Sequence, residues 1–145
     1  MNVLEVLRQT TQTNAIQTLG IEIVSADKDR VVLTMPVEPK VHQYTGILHG
    51  GISVVLAETA ASIGAAMNVD ISKQTPVGVE INANHLRSVA SGMITATATP
   101  VYHGRTLSVW NIEIKDDRNR LICVSRCTLA LKAGNATPVS SRPFA

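Results

Sequence analysis

The sequence predicts an α+β fold in which one long apolar helix lies against a curved antiparallel sheet of about six strands. Three observations carry this expectation. Residues Ile52 to Met67 run without proline, and Ser53, Glu58, Thr59 and Ser62 are their only polar side chains, the pattern of a helix buried on nearly all sides. Two strand-like runs precede that helix and four follow it. The connections are mostly short and turn-forming, which favours hairpins over crossovers.

Taken in order, Asn2 to Leu19 reads as a short amphipathic helix built on Leu4, Leu7 and Ile16, weakened by its Thr and Gln content. Ile21 to Val24 and Val31 to Met35 flank a turn at Asp27-Lys28-Asp29, and Pro36 ends the second run, so the pair forms a hairpin. Pro36 to Gly46 is a loop carrying His42, Gln43 and Tyr44. Beyond the helix, Asp70 to Gln74 makes a turn. Thr75 to Arg87 then alternates, with Val77, Val79, Ile81, Ala83, His85 and Arg87 on one parity. Gly92 to Val101, Thr106 to Ile114 and Leu121 to Leu131 complete the strands, with turns at His103-Gly104 and Asp116 to Asn119 between them.

A single sheet covers one side of such a helix only. Ala57, Ala60, Ala61, Gly64, Ala65 and Ala66 permit close approach of a sheet or a second helix, which predicts an oligomer. With 145 residues and 45% hydrophobic side chains, the chain forms one domain with a core that needs neither disulfides nor metals. Within it, residues 1–18 form an N-terminal helical segment, 19–132 the main body, and 133–145 a loose tail rich in Ser, Pro, Ala and Gly.

The formal net charge is only +2, the basic residues are scattered, and one Phe, one Trp and two Tyr leave few rings to stack on bases, so nucleic-acid binding has no support. Cys123 and Cys127 fall on one face of a strand and read as buried, reduced thiols. His42, His49, His85 and His103 are spread over different elements with no HExxH and no close Cys/His pair, which argues against a metal. The N-terminus has no basic cluster followed by an apolar core, and no segment reaches about eighteen unbroken apolar residues. A cytoplasmic protein without membrane contact is the expectation.

The chemistry centres on Glu58. A carboxylate inside an apolar helix is costly unless hydrogen bonds or an opposite charge receive it, and burial without such a charge tunes a carboxylate toward a general base. The alternative is a structural acceptor that pairs with Arg87, Arg105 or Arg126. Gly50 and Gly51 sit where the first helical turn begins, where free N–H groups and the positive end of the helix field would stabilise an oxyanion. They are equally suited to a turn. Ser62 lies one turn beyond Glu58, either to orient the carboxylate or a water, or to bond the carbonyl four residues back. Gln43, in the loop before His49, is able to donate an amide hydrogen bond. There is no GxSxG elbow.

The set Gln43, Gly46, Leu48-His49-Gly50-Gly51, Ser53 to Glu58, and then Glu80 to Ser88 closely resembles hotdog-fold acyl-coenzyme A thioesterases. Over roughly Leu19 to Leu131 the likeness is nearest the branch of phenylacetate-pathway thioesterases and 1,4-dihydroxy-2-naphthoyl-CoA hydrolases. The resemblance implies a helix wrapped by an antiparallel sheet, a homodimer that joins its sheets, and a homotetramer made from two dimers. It implies hydrolysis of an acyl-CoA thioester by Glu58, as general base or as nucleophile, with the Gly50 N–H holding the thioester oxygen. Gln43 and His49 would align or polarise the thioester, with Ser62 from the opposing subunit supporting water or carboxylate. His85, Arg87 and Ser88 match positions beside the coenzyme A moiety, where cations suit phosphates. Tyr44 and Leu48 would line the acyl pocket, for an aromatic or hydroxynaphthoyl-like group. Tyr44-Thr45 replaces the Pro-Phe pair usual in the naphthoyl-CoA branch. No cofactor is implied, because coenzyme A is part of the substrate. An aliphatic acyl-CoA thioesterase, an enoyl-CoA dehydratase and a non-catalytic acyl-CoA-binding protein are the competing readings.

Overall fold

An 18-residue helix, α3 (Gly50–Met67), crosses the concave face of one six-stranded antiparallel sheet. The computed structural model describes residues 2–10 and 13–134. Ahead of α3 come α1 (Val3–Gln9), α2 (Ala15–Leu19), β1 (Glu22–Ala26), β2 (Val31–Pro36) and a single 3₁₀ turn (Pro39–Val41). Behind it come β3 (Gln74–His85), β4 (Met93–His103), β5 (Leu107–Lys115) and β6 (Leu121–Ala133). The end of β6 at Ala133 takes the main body one residue past the expected boundary at 132, and the expected tail lies, from 135 onward, outside the described residues.

The single helix expected over Asn2 to Leu19 is two helices. Asn14 caps a new start, accepting from Ile16 and Gln17 N–H while the Gln17 side chain accepts from the Asn14 N–H. Asn2 and Glu5 make the same reciprocal cap for α1. A second cap inside a Thr/Gln-rich stretch outweighs continuation of a weak helix.

Three of the turns behave as read. The Asp27 carboxylate accepts from the N–H groups of Asp29 and Arg30, both at 2.8 Å, closing β1 onto β2. Asp116 accepts from Arg118 and Arg120 N–H, with Asn119 at φ 60°, closing β5 onto β6. Gly104 N–H donates to Leu107 O at 2.8 Å between β4 and β5. The remaining pairings are not those of sequence neighbours: the sheet runs β1-β2-β4-β5-β6-β3. The chain leaves α3 at the far side of the sheet, so β3 joins β6 as an edge strand and β4 returns to β2.

The helix meets the sheet through its small residues. Leu56, Ala57, Ala60, Ala61 and Ala65 are fully buried, and the Trp110 ring lies so close to Gly64 that a side chain there would overlap it. Val31, Leu33 and Met35 of β2, Ile94, Ala96 and Ala98 of β4, and Ile112 and Ile114 of β5 alternate into the same core. Each large apolar side chain enclosed here contributes about 1.5–3 kcal/mol. Trp110 satisfies its buried Nε1 by donating to Ser108 Oγ at 2.7 Å. Cys123 and Cys127 are both free and buried on the inner face, as their spacing predicts.

Within one chain the sheet covers one side of α3, as expected, and Val54, Val55, Glu58, Thr59 and Ser62 on the other side are only half-buried. One expectation is corrected. The uniform parity of β3 is broken by a bulge between Gly78 and Glu80. Pro76 and Gly78 stand opposite Leu131 and Leu129 on the inner face, whereas beyond the bulge Ile81, Ala83 and His85 stand opposite Cys127, Ser125 and Cys123. Val77 and Val79 are consequently exposed, at 38% and 64%. An extra residue in one strand shifts the side-chain alternation by one position.

Candidate active site

The start of α3 is built by His49, whose Nδ1 accepts a hydrogen bond from Gly51 N–H at 2.9 Å. That bond leaves the ring proton on Nε2, free to donate outward. A Cβ on Gly51 would crowd the His49 ring at 3.0 Å, and one on Gly50 would come within 2.8 Å of His85 Nε2. A side chain at either position would have to displace a histidine ring, that of His49 in the cap at Gly51 or that of His85 over the helix entrance at Gly50. As the first helical residue, Gly50 presents an N–H with no intrahelical acceptor.

The preceding loop is strapped down by its backbone. Gln43 N–H donates to Ile47 O at 2.8 Å, and Gly46 N–H donates to Gln43 O at 3.0 Å with Gly46 left-handed at φ 80°. Leu48 N–H donates to Val89 O at 2.7 Å, and His42 Nε2 is bonded to Ala90 O at 2.9 Å. These ties bring Gln43, Leu48, Gly50, His85, Arg87 and Ser88 around one cleft of about 340 Å³. Gln43 and Gly50, two of the residues expected to polarise a carbonyl, thus share a single surface with those expected beside coenzyme A, whereas His49 is not among its lining. Ser53, 2% exposed, also lines it; the sequence marked it only as a polar interruption of the helix.

Glu58 lies elsewhere. It opens with Ser62 into a second groove of about 450 Å³, whose walls are Val55 and Thr59 of α3 together with Val3, Leu7 and Ile16 of the N-terminal helices. Its Oε1 occupies the space that a Cβ on Gly78 would take. Among the described residues it forms no ion pair, so the structural pairing with Arg87, Arg105 or Arg126 is not made. The bond to the carbonyl four residues back, one option for Ser62, is made by Thr59, whose hydroxyl donates to Val55 O at 2.7 Å. Burial pushes the Cys127 thiol up to about 12, with the charges of Glu58 and Glu80 adding to the effect.

The two clefts do not meet within one chain. Residues 50 and 58 are separated by roughly 12 Å of helical rise. Their neighbours on β3, His85 and Gly78, lie roughly 20 Å apart along the strand. Reacting groups must come within about 3–3.5 Å.

Other expected residues go to separate tasks. Tyr44, 99% exposed, projects from its turn and lines neither cleft of its own chain, so the apolar wall beside Glu58 comes from Val3, Leu7 and Ile16 instead. Those three are spaced as an amphipathic face and carried no chemical signal in the sequence. His103 Nδ1 lies 3.1 Å from Ser108 Oγ, in the support of Trp110.

Residues 45–123 match the family model described as the thioesterase superfamily. A 1,4-dihydroxy-2-naphthoyl-CoA hydrolase of Listeria monocytogenes is 52% identical over 80% of this chain and 94% of its own length. A thioesterase crystal structure from Haemophilus influenzae superposes with a TM-score of 0.83 at 46% identity, covering 92% of both chains. A Staphylococcus aureus thioesterase superposes with a TM-score of 0.82 at 43% identity over 83% of this chain and 99% of its own. Its structure has been solved with a glutamate and, separately, a glutamine replaced by alanine, two positions as far apart in sequence as Glu58 and Gln43 are here. A long helix on a six-stranded antiparallel sheet, together with these matches, establishes that the chain belongs to the hotdog-fold thioesterase superfamily.

Proposed function

We propose that this protein hydrolyses an acyl-CoA thioester with an aromatic, hydroxynaphthoyl-like acyl group, at sites assembled between two copies of the chain. The observation that carries the reading is the division of the α3 chemistry: an oxyanion donor at Gly50 in one cleft and a lone carboxylate at Glu58 in another. A second copy supplies the missing half. β3 is a 12-residue edge strand with a free side, and Glu58 rests against its bulge at Gly78. Antiparallel pairing of two such strands, centred between Ile81 and Asn82, sets the partner's His85 opposite Gly78. That brings the partner's Gly50 toward Glu58 and covers the half-exposed carboxylate.

In this site the thioester oxygen accepts from the Gly50 N–H, with His49 Nε2–H and the Gln43 amide as further donors. Glu58 of the other copy takes a proton from water as the water oxygen attacks the carbonyl carbon. Alternatively its carboxylate attacks directly, forming a mixed anhydride that water then opens. In either route the C–S bond breaks, the sulfur leaves as coenzyme A thiolate and is protonated, and the free acid departs. Ser62 holds the attacking water or the carboxylate, and His85, Arg87 and Ser88 receive the coenzyme A phosphates. The relative named as a naphthoyl-CoA hydrolase supports an aromatic acyl group. Leu48 borders the carbonyl, and Tyr44 reaches the acyl group of a neighbouring copy. Pairing of dimers into a tetramer and a cytoplasmic setting complete the reading.

The test is steady-state release of coenzyme A thiol from hydroxynaphthoyl-, benzoyl-, phenylacetyl- and aliphatic acyl-CoA by the native chain and by Glu58→Ala. Native turnover with loss of about 10²–10⁴ in the variant is expected for removal of a positioned base. Equal rates in the two proteins overturn the assignment of Glu58.

A further inference from the structure

We infer that the two N-terminal helices are the acyl-selecting wall of the site, with Leu7 and Ile16 contacting the acyl body of a substrate whose carbonyl lies beside Glu58. The inference rests on the hydrolase reading above and deepens it.

The groove that contains Glu58 is floored by Val55, Thr59 and Ser62 of α3 and walled on the opposite side by Val3, Leu7 and Ile16. The basic and polar residues suited to coenzyme A, His85, Arg87 and Ser88, line the other cleft. The acyl body must therefore extend from the carbonyl into the groove on the Glu58 side. Apart from Glu58 the lining carries no ionisable side chain among the described residues. An acyl group ending in a carboxylate would set a second negative charge beside Glu58 with no cation among the described lining residues to receive it. The groove fits an uncharged, apolar body. Its volume of about 450 Å³ is in the range of pockets that enclose small organic ligands.

The wall is also built to yield. α1 has seven residues and none of them is buried. A helix of that length is not stable alone, so it persists through its capping box and through Val3, Leu4 and Leu7 resting on the core. Leu7 and Ile16 further line a second cavity, of about 460 Å³, between these helices and β1. With space on both sides, α1 can shift outward or inward without disturbing the sheet. Substitutions in it alter which acyl group fits rather than whether the domain folds.

The experiment measures kcat/KM by thiol release for hydroxynaphthoyl-, benzoyl-, hexanoyl-, glutaryl- and acetyl-CoA with the native chain, Leu7→Ala, Ile16→Ala and Leu7→Trp. Circular dichroism confirms that each variant is folded. The ratio of hydroxynaphthoyl- to acetyl-CoA turnover is expected to fall at least about tenfold in Leu7→Ala and Ile16→Ala, the lower end of what one methylene decides in an apolar pocket. Leu7→Trp is expected to shift preference toward the smaller groups. Glutaryl-CoA should be turned over at least about tenfold more slowly than hexanoyl-CoA by the native chain. Equal losses on all substrates, unchanged ratios, or glutaryl-CoA handled as well as hexanoyl-CoA overturn the inference alone. Absence of thiol release by the native chain from every substrate overturns the hydrolase reading and the inference with it.

Discussion

If the proposed site divides the oxyanion donor and the carboxylate between two chains, two inactive variants mixed together should regain activity. Glu58→Ala removes the base. Gly50→Ala adds a methyl group whose carbon would lie 2.8 Å from His85 Nε2 and 3.1 Å from its Cε1, so the ring is displaced and the approach to the Gly50 N–H is filled. The first change is expected to cost about 10²–10⁴ in rate and the second about 10²–10³, the scale of losing an oxyanion donor. In a two-fold dimer each chain contributes its Gly50 end to one site and its Glu58 to the other. An equal mixture that exchanges freely contains about one half mixed dimers, each with one intact and one doubly damaged site, so about a quarter of native activity returns. Against variants retaining about one per cent or less, that is a rise of about 25-fold. The assay is coenzyme A thiol release after co-refolding or prolonged incubation of the two proteins, with size-exclusion chromatography to follow assembly. The alternative of a complete site within one chain predicts only the mean of the two residual rates. That result, with mixed dimers demonstrated, would refute the divided site and the roughly 12 Å separation on which it depends.

Four further outcomes follow from single contacts. Gly78→Ala places a methyl group where Glu58 Oε1 now lies, so thiol release should fall by about tenfold or more while the thermal midpoint changes little; unaltered kinetics would mean that the carboxylate is not held at the bulge. Ser108→Ala leaves the buried Trp110 Nε1 without its acceptor and should cost about 1–3 kcal/mol in urea unfolding, and no loss would show that another acceptor is within reach. With the Cys127 thiol pushed up to about 12 and the Cys123 thiol also raised by burial, iodoacetamide at neutral pH should modify neither in the native protein; rapid modification without denaturant would show that the core opens. The Arg120 guanidinium holds the Asp116 carboxyl below its ordinary range, so its stabilisation is complete above the unfolded-state value and is lost as pH falls through the folded one. The native chain should accordingly lose stability on acidification more steeply than Asp116→Asn, and parallel acid limbs would remove Asp116 from the account.

Much of the site was legible because its signals are local. Two glycines at the start of an apolar run state a helix entrance with bare N–H groups, and the structure places Gly50 and Gly51 there, with His49 as a cap that the sequence had not marked. Glu58 stands out because a carboxylate in an apolar helix needs a reason. The Asp27 and Asp116 turns were readable since each side chain bonds its own backbone within four residues. Val3, Leu7 and Ile16 gave no such signal, as an apolar face looks the same whether it covers a core or a ligand groove. Tyr44 reads as a pocket residue because it is an aromatic beside a functional loop, and the direction of its turn leaves it outside both clefts of its own chain, so only a neighbouring copy brings it to an acyl group.

The sequence by itself determined α3, its small-residue face, its glycine entrance and its lone carboxylate, because helix periodicity and glycine geometry act over a few residues. It also determined the three hairpins and their turns. Tertiary structure decided that β3 leaves its sequence neighbour and becomes the free edge beside β6, and that a bulge at Gly78 divides its inner face. It also set Gly50 and Glu58 in different clefts. These outcomes depend on where a long helix delivers the chain and on which strand edges remain open for pairing. No spacing within β3 encodes either.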